Sequence, residues 1–560
     1  ARQPAPNVSA MLRYSLKRFL SLILSLAVAS AVIFFVVEVA PGDPAAFMLG
    51  VNAQADTVAA LRSELGLDQG KLQRYLTWVA GMLSGDFGTS YTYRTPVAEM
   101  ISARIQVSLP LALYALTLST LIAFPAGIYA ADILKKSAAE SGREVLIDLF
   151  EHLPAPYGLV RYGVAPDHPR IKGIIAALRE VLESGVVRLF GNVRFGEDIT
   201  LADLERLYHG VIFATGATKD APLDIPGIDL PGSYGAADFV SWYDGHPDVP
   251  REWPLEAKEI AVIGNGNVAL DVARMLVKHP EDLMPTEVPA NVVDGLEASP
   301  VTDVHVFGRR GPLNVKFTPL ELRELGELRD VDMILHDDDF GVDPDEETLK
   351  QNKQILVISR VLEQWRQREV GQASRRLHLH FWSRPDAVLG DGRVQALRIE
   401  RTRPTEHGLE GTGEYREIPV QAVYRAVGYF SSPLPDVPFD ERRGVVPNIA
   451  GRVHDGSRPM PGMYATGWIK RGPVGLIGHT KSDAKETVEH LLGDEHSWWT
   501  PEAYDQDAVP ALLRERGVAW TDIDGWIRLD QHEMALGEPH GRTRIKVVPR
   551  EDMISVSRDE

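Results

Sequence analysis

The chain has 560 residues, 44% hydrophobic and 24% charged, with a formal net charge of −19 and no cysteine. Without cysteine there are no disulfides, thiolate-held zinc or iron–sulfur centres, or catalytic thiols, so any redox chemistry needs a bound cofactor. The acidic balance argues against nucleic-acid binding, and the length predicts roughly three or four domains.

Charge is unevenly spread. Residues 1–131 hold nine Lys and Arg against seven Asp and Glu, a net of +2, which leaves −21 for residues 132–560. Phe19 to Val37, FLSLILSLAVASAVIFFVV, is 19 residues without charge. At about 1.5 Å per residue it is long enough to cross a hydrocarbon core. Arg13, Lys17 and Arg18 precede it, so its start is expected on the cytoplasmic side. A secretory signal is the competing reading of this stretch. A second uncharged run extends from Ile105 to Ala131, interrupted by Pro110 and Pro125 and followed by Lys135 and Lys136. One or two transmembrane helices are expected here, tethering a cytoplasmic body to the inner membrane.

The wording of this front is specific. MLRYSLKRFLSLILSLAVASAVIFFVVEVAPGDPAA, SELGLD, QRYLTWVAGMLSGDFGTSY and ARIQVSLPLALYALTLSTLIAFPAGIYAA occur in that order. Residues 11–131 closely resemble the start of oligopeptide/dipeptide ABC-transporter permeases. The later spans and the coupling loop of that family do not follow, and no G-x-x-x-x-G-K-[ST] phosphate loop occurs.

Further along, Ile147–Phe150 reads as a strand with Glu151 at its end, where a carboxylate accepts hydrogen bonds from a ribose. GVIFATGA (210–217) and AVYRAVGY (422–429) read as strands that end in small-residue turns. The clearest motif is EIAVIGNGNVALDVARML, residues 259–276. A strand leads into Gly264, Asn265, Gly266 and Asn267, and a helix follows from Val268. That context makes G-x-G-x-x-A a dinucleotide fingerprint: small residues let the backbone reach a pyrophosphate, and the helix start supplies N–H donors. VTDVHVFGRRGP (301–312) then places Arg309 and Arg310 after a second strand. Two guanidinium groups there suit a 2′-phosphate and favour NADP over NAD. The Pro- and acid-rich stretch 279–300 reads as an excursion between the two. Residues 462–492 read as strand, Gly-rich loop and helix.

Taken together, LPAPYGLVRYGVAPDHP, FGNV, IPGIDLPGS, GNGNVALDVAR, GRRGP, FTPLELREL, GWIKRGPVGLIGHTK and GEPHGR make residues 127–560 resemble the adrenodoxin-reductase-like ferredoxin–NADP reductases. The resemblance implies an α/β fold with two Rossmann-like dinucleotide-binding domains, the FAD domain discontinuous and the NADP domain inserted in it. The implied order is a membrane fragment at 1–121, FAD domain at 122–250, NADP domain at 251–424, FAD domain again at 425–500, and an extension at 501–560 packing on the reductase. Hydride from NADPH would pass to FAD and then, as single electrons, to an iron–sulfur, ferredoxin-type acceptor.

By the same resemblance Gly264, Asn265, Gly266, Asn267, Val268, Arg309, Arg310, Glu321 and Gly475 hold NADP. Gly127, Glu151, Leu159, Trp468, Gly475, Leu476 and Ile477 hold FAD, and His168 with Glu324 matches the family's proton-relay pair. Without the family, a histidine in APDHP is as readily structural, and Glu324 reads as a solvated helix position. Arg170, Lys172, Lys470 and Arg471 are the candidates for a basic docking patch. No metal site is expected.

The two resemblances meet in LIAFPAGIYAADILKK, residues 121–136. The reductases carry G-x-G-P-A-G in the first βα turn; here the frame reads Ile122, Ala123, Phe124, Pro125, Ala126, Gly127. Ile122 and Phe124 put bulk where the first two glycines make the turn and admit the pyrophosphate. Weakened FAD binding is the expectation. The alternatives are a chimera of the two parents without function, or a truncated transporter component.

Overall fold

In the computed structural model the chain divides into two compact units, Ala1–Leu118 and Ser119–Glu560. The structure describes residues 126–340, 352–406, 408–473, 478–502 and 505–559, and in the first unit only isolated positions between 62 and 81. The run Phe19–Val37, most of Ile105–Ala131, the turn residues Ile122 to Pro125, and Gly475, Leu476 and Ile477 lie outside the described residues. Among the described residues no helix is long and apolar enough to cross a membrane.

The end of the second apolar run is part of the globular body. Ala126–Ala131 opens the helix Ala126–Glu140, in which Ala126, Ile128, Ala130 and Ala131 are buried. Ile128 and Ala131 pack with Leu149 and Leu178, while Ala130, Ile133 and Leu134 pack with Ile212, Ala484 and Val488. The helix therefore covers two separate pieces of sheet. One is the parallel pair Ile147–Glu151 and Val187–Gly191. The other runs Asn448–Ile449, Arg452–His454, Pro459–Ala465 and Val211–Phe213, with the last pair parallel. Gly127 lies where they converge: a Cβ on it would stand 3.3 Å from Ala214 Cβ and 3.4 Å from Leu149 Cδ1. That is the close helix–strand approach the third glycine of a dinucleotide turn permits.

A six-stranded sheet forms the other half, in the order Ser233–Gly235, Ala422–Arg425, Glu259–Ile263, Asp303–Phe307, Arg375–His380, Val331–Leu335. All its pairings are parallel. The strand Glu259–Ile263 is apolar on both faces, as a parallel strand covered on two sides must be, whereas Asp303–Phe307 and Arg375–His380 are aliphatic on one face and carry histidines on the other. Val304, Val306, Leu377 and Leu379 point to the helix Asn267–Val277. Phe307 points the other way, into a core with Val388, Leu397 and Ile399 of the antiparallel strands Ser383–Leu389 and Ala396–Thr405. Two strands from outside 251–424 or at its edge, Ser233–Gly235 and Ala422–Arg425, extend this sheet where the chain passes between the halves. The excursion at 279–300 forms a short turn Pro280–Asp282 and the helix Ala290–Glu297.

Residues beyond 501 fold as the helices Ala508–Glu515, Ile523–Gly537 and Arg550–Arg558. Trp526, Leu529 and Met553 enter the core that holds Tyr157, Val187 and Leu189. Beside them the fully buried Arg161 and Glu533 form a two-pronged pair, Nη1 to Oε2 at 3.0 Å and Nη2 to Oε1 at 2.5 Å. Such a pair survives burial because each charge is matched by hydrogen bonds on the other.

Candidate active site

The turn Gly264–Gly266 joins the strand Glu259–Ile263 to the helix Asn267–Val277. Gly264 sits at φ +136, and a Cβ there would be 2.2 Å from Ala426 O. Only glycine tolerates both the conformation and the contact. By contrast, nothing lies within 4 Å of where a Cβ on Gly266 would be, so the space over the helix start is open. Asn267 begins the helix and its Oδ1 accepts from Thr318 N at 2.9 Å; Val268 packs on the core beneath.

Asn265 leans across to the next strand end, where a Cβ on Gly308 would be 2.6 Å from its Nδ2. That amide nitrogen is buried and has no hydrogen-bond partner in the protein. A buried donor left unmatched is unfavourable, and a nucleotide oxygen would match it. Arg309 and Arg310 follow Gly308 and are exposed. Their carbonyls accept from Thr402 Oγ1 at 2.7 Å and Trp382 N at 3.2 Å, which fixes the backbone of this loop while both side chains stay exposed. Open cradle, orphan donor and two fixed arginines fit an NADP phosphate set.

Glu321 and Glu324 are on the helix Pro319–Leu325, started by Thr318, whose hydroxyl accepts from Glu321 N at 3.4 Å. Both carboxylates turn toward His168. His168 Nδ1 lies 3.4 Å from Glu324 Oε2, and Nε2 lies 3.6 Å from Glu321 Oε2. Nε2 also stands 3.2 Å from Asp271 Oδ1 and 2.6 Å from Arg274 Nη2. A protonated ring donates to Asp271; a neutral one accepts from Arg274. Both protonation states thus have partners.

Arg274 is the centre of this group, buried and contacting Asp167, Asp271, Glu321 and Glu324. Lys278 adds a second contact to Asp167 at 2.8 Å. Four carboxylates thus share two permanent cations, so one site is driven to hold a proton. Burial first, and then Asp271, push Glu321 up to about 8. Burial likewise raises Glu324. For His168 burial acts downward, but the hydrogen bond and charge of Asp271 and the charge of Glu321 outweigh it and the net shift is up. Glu324 is 29% exposed where His168 is 6% exposed, so Glu324 is the solvent end of the pair. A cavity of about 330 Å³ opens there, lined by Asp167, Arg274, Lys278 and Glu324 among others.

Sequence reasoning named His168, Glu321 and Glu324 but missed Asp167, Asp271 and Arg274. The signal was available: Asp271 and Arg274 are a charged i, i+3 pair inside a helix otherwise apolar at those positions. Two other expectations need correction. Lys172 and Lys470 were expected on a basic docking surface, and both are buried. Lys172 Nζ binds Asp244 at 3.1 Å and Glu287 at 2.5 Å; Lys470 Nζ binds Asp483 at 3.0 Å and Glu486 at 2.6 Å. A lysine stripped of water must find carboxylates, and these serve the core rather than a partner. Arg471 is held by Thr480 and Asp483, and the side chain of Arg170 lies outside the described residues.

On the FAD side, Glu151 ends its strand as expected, with Oε1 accepting from Leu153 N at 3.2 Å. Leu159 opens the short helix Leu159–Tyr162 after Gly158, and Trp468 opens Trp468–Arg471, stacked on Tyr429 with centroids 5.9 Å apart. Gly467, just before Trp468, approaches Ala126 at the head of the helix Ala126–Glu140, a Cβ there falling 2.6 Å from Ala126 Cβ. Gly127, Trp468 and the strand bearing Glu151 therefore gather around that helix start. A carboxylate at a strand end beside a helix N-terminus fits an adenosine ribose and pyrophosphate.

Fold and site together define a two-nucleotide, FAD/NADP-type oxidoreductase. Comparison with known proteins agrees. The chain is 38% identical over 439 residues to the NADPH-ferredoxin reductase FprA of Mycobacterium tuberculosis, covering 76% of this chain and 95% of that protein. It is 38% identical over 448 residues to the human mitochondrial NADPH:adrenodoxin oxidoreductase, covering 77% and 89%. The structure of Mycobacterium tuberculosis FprA in complex with NADPH superposes with a TM-score of 0.73 at 38% identity, covering 78% of this chain and 98% of that one. Residues 11–112 match the family described as binding-protein-dependent transport system membrane component, N-terminal. The chain belongs to the NADPH–ferredoxin and adrenodoxin reductase family, and carries a permease-type segment ahead of the reductase.

Proposed function

We propose that the chain is an NADPH-dependent flavoprotein reductase that delivers electrons to a ferredoxin-type iron–sulfur protein. The observation that carries this reading is the unmatched Asn265 amide over an open helix start, with Arg309 and Arg310 fixed beside it. Asn265 and the first N–H groups of Asn267–Val277 hold the pyrophosphate, and Arg309 and Arg310 clamp the 2′-phosphate. Gly127, Glu151, Leu159 and Trp468 hold FAD; Gly475, Leu476 and Ile477 are assigned by family resemblance. The chemistry supplied by bound FAD is exchange between a hydride and single electrons. His168 holds the exchangeable proton, and Glu324 carries it to and from water at the cavity mouth. Arg274 positions both.

Residues 11–112 anchor the body to the inner membrane in this reading, supported by their match to a membrane component and by Arg13, Lys17 and Arg18 ahead of Phe19. Ile122 and Phe124 make FAD retention weaker than a turn with glycines would give. The test is NADPH-driven reduction of ferricyanide and of a ferredoxin by detergent-purified chain, with the visible spectrum read before and after FAD is added and excess removed. Activity with NADPH well above that with NADH supports the reading. Equal activity with both sinks the assignment of Arg309 and Arg310, and no activity at saturating FAD sinks the enzyme.

A further inference from the structure

The face of the six-stranded sheet turned away from helix Asn267–Val277 carries histidines on two neighbouring strands, with another histidine just past the end of a third. His305 is paired directly across from His378 in parallel register. His380 stands two residues on, and so on the same face. His336 follows the strand Val331–Leu335. The rings form a ladder: His305 lies on His378 with centroids 4.1 Å apart, and His336 on His380 at 4.3 Å.

The nitrogens are not all matched. His305 Nδ1 is 3.0 Å from His380 Nε2. His378 Nε2 is 3.0 Å from Asp303 Oδ1, so that nitrogen carries the hydrogen and donates it. Asp303 is itself held by Arg376 at 2.5 and 2.6 Å. The other nitrogen of His378, Nδ1, is left with a lone pair; it is buried and has no partner, and the same is true of His336 Nε2. A packed hydrocarbon face would need no such polar atoms, and burying them unmatched is unfavourable. His305, His378 and His380 each offer one ring nitrogen, all within 4.8 Å of one another.

The geometry points to a site for one divalent transition metal of the zinc class, held by the imidazoles of His305, His378 and His380. Zn–N bonds of about 2.0 Å put two ligands of a tetrahedron about 3.3 Å apart, close to the spacing between His305 and His380. An all-imidazole set selects zinc, copper or nickel over magnesium and calcium. Asp303 is the outer carboxylate that fixes the His378 tautomer. The site lies at the root of the arginine loop, since Gly308 N donates to His380 O at 2.8 Å. Nothing in it depends on the proposed reductase activity.

The test is titration of chelator-treated full-length chain with Co²⁺, followed by displacement with Zn²⁺. One Co²⁺ per chain with the visible d–d bands of a four- or five-coordinate ion is expected. His380→Ala should weaken Zn²⁺ binding about 100-fold or more, and Asp303→Asn about 10- to 100-fold. Because a buried substitution can disturb folding, the wild-type zinc form gives an independent reading: X-ray absorption should show imidazole scattering from at least three histidines. Absence of the Co²⁺ bands, an oxygen-dominated zinc shell, or bands that persist in the triple variant H305N/H378N/H380N each overturn the site. Persistence in the triple variant would move the metal elsewhere, such as to His152, His246 and Asp248.

Discussion

His168 and Glu324 meet with Nδ1 and Oε2 3.4 Å apart, one buried and the other at the edge of a cavity. A group that relays protons between a site and water needs this arrangement. Glu324→Gln keeps the shape and removes the exchangeable charge. Turnover with NADPH should fall about 10- to 100-fold, with NADPH binding little changed. His168→Gln should fall similarly, and the double variant no further, because the two act in series. The pH–rate profile is the measurement; additive losses would show that the pair is only structural.

Glu321 makes stability depend on pH with a definite sign. Its carboxyl is ordinary at 4.5 in the unfolded chain and about 8 in the folded one, because it is buried beside Asp271. Between those values the native state holds a proton that the unfolded state lacks. Stability therefore declines as pH rises through that window, and the decline is complete above the folded value. Glu321→Gln cannot ionise and should flatten that part of the curve. Urea midpoints measured across the window check it.

Arg309 and Arg310 should decide coenzyme choice. Replacing both with alanine removes charge-assisted contacts worth about 1.5–3 kcal/mol each. KM for NADPH should rise by about 100-fold or more while KM for NADH changes little. Steady-state kinetics with both coenzymes give the ratio, and an equal loss for the two would place the arginines outside the phosphate site.

Ile122→Gly with Phe124→Gly should restore flavin retention. The double substitution rebuilds the first two glycines of the turn, and a gain of about 1.4 kcal/mol is already tenfold in affinity. Absorbance of bound flavin after gel filtration reports it. A fully flavinated parent chain would leave nothing to restore and would remove the premise.

The Arg161–Glu533 pair is buried and two-pronged. Glu533→Gln strands a buried guanidinium and should cost about 3–5 kcal/mol. Glu533 Oε1 also accepts from Val547 N at 3.0 Å, so Arg161→Met with Glu533→Gln, which removes both charges and keeps an acceptor for that donor, should recover much of the loss. Denaturant unfolding of the three proteins separates the cases.

Much of the backbone around the candidate nucleotide site was legible in the sequence, since it depends on local patterns. Gly264 and Gly266 announce their turn by composition, and Arg309 and Arg310 follow a strand that periodicity reveals. The ionic group around Arg274 was not legible as a group. Asp167, Asp271 and Glu321 come from separate segments, and only the packing of helices Asn267–Val277 and Pro319–Leu325 against the APDHP turn brings them together. Lys172 and Lys470 misled for the same reason: charge can be read from a sequence, but burial depends on what folds over it. The alternation of His378 and His380 was visible, but its meaning depends on His305 in the neighbouring strand, a matter of register.

Arg161 and Glu533 are separated by 372 residues of chain. A ribosome adding about 5–20 residues per second needs roughly 20 to 75 s to make the second after the first. Through that interval Arg161 has no counter-charge, and the cleft that will receive Trp526 is open. The core around Tyr157 and Leu189 is therefore completed late in synthesis. The early part of the reductase must wait in an unfinished state, and this is the stage at which a chaperone has most to shield.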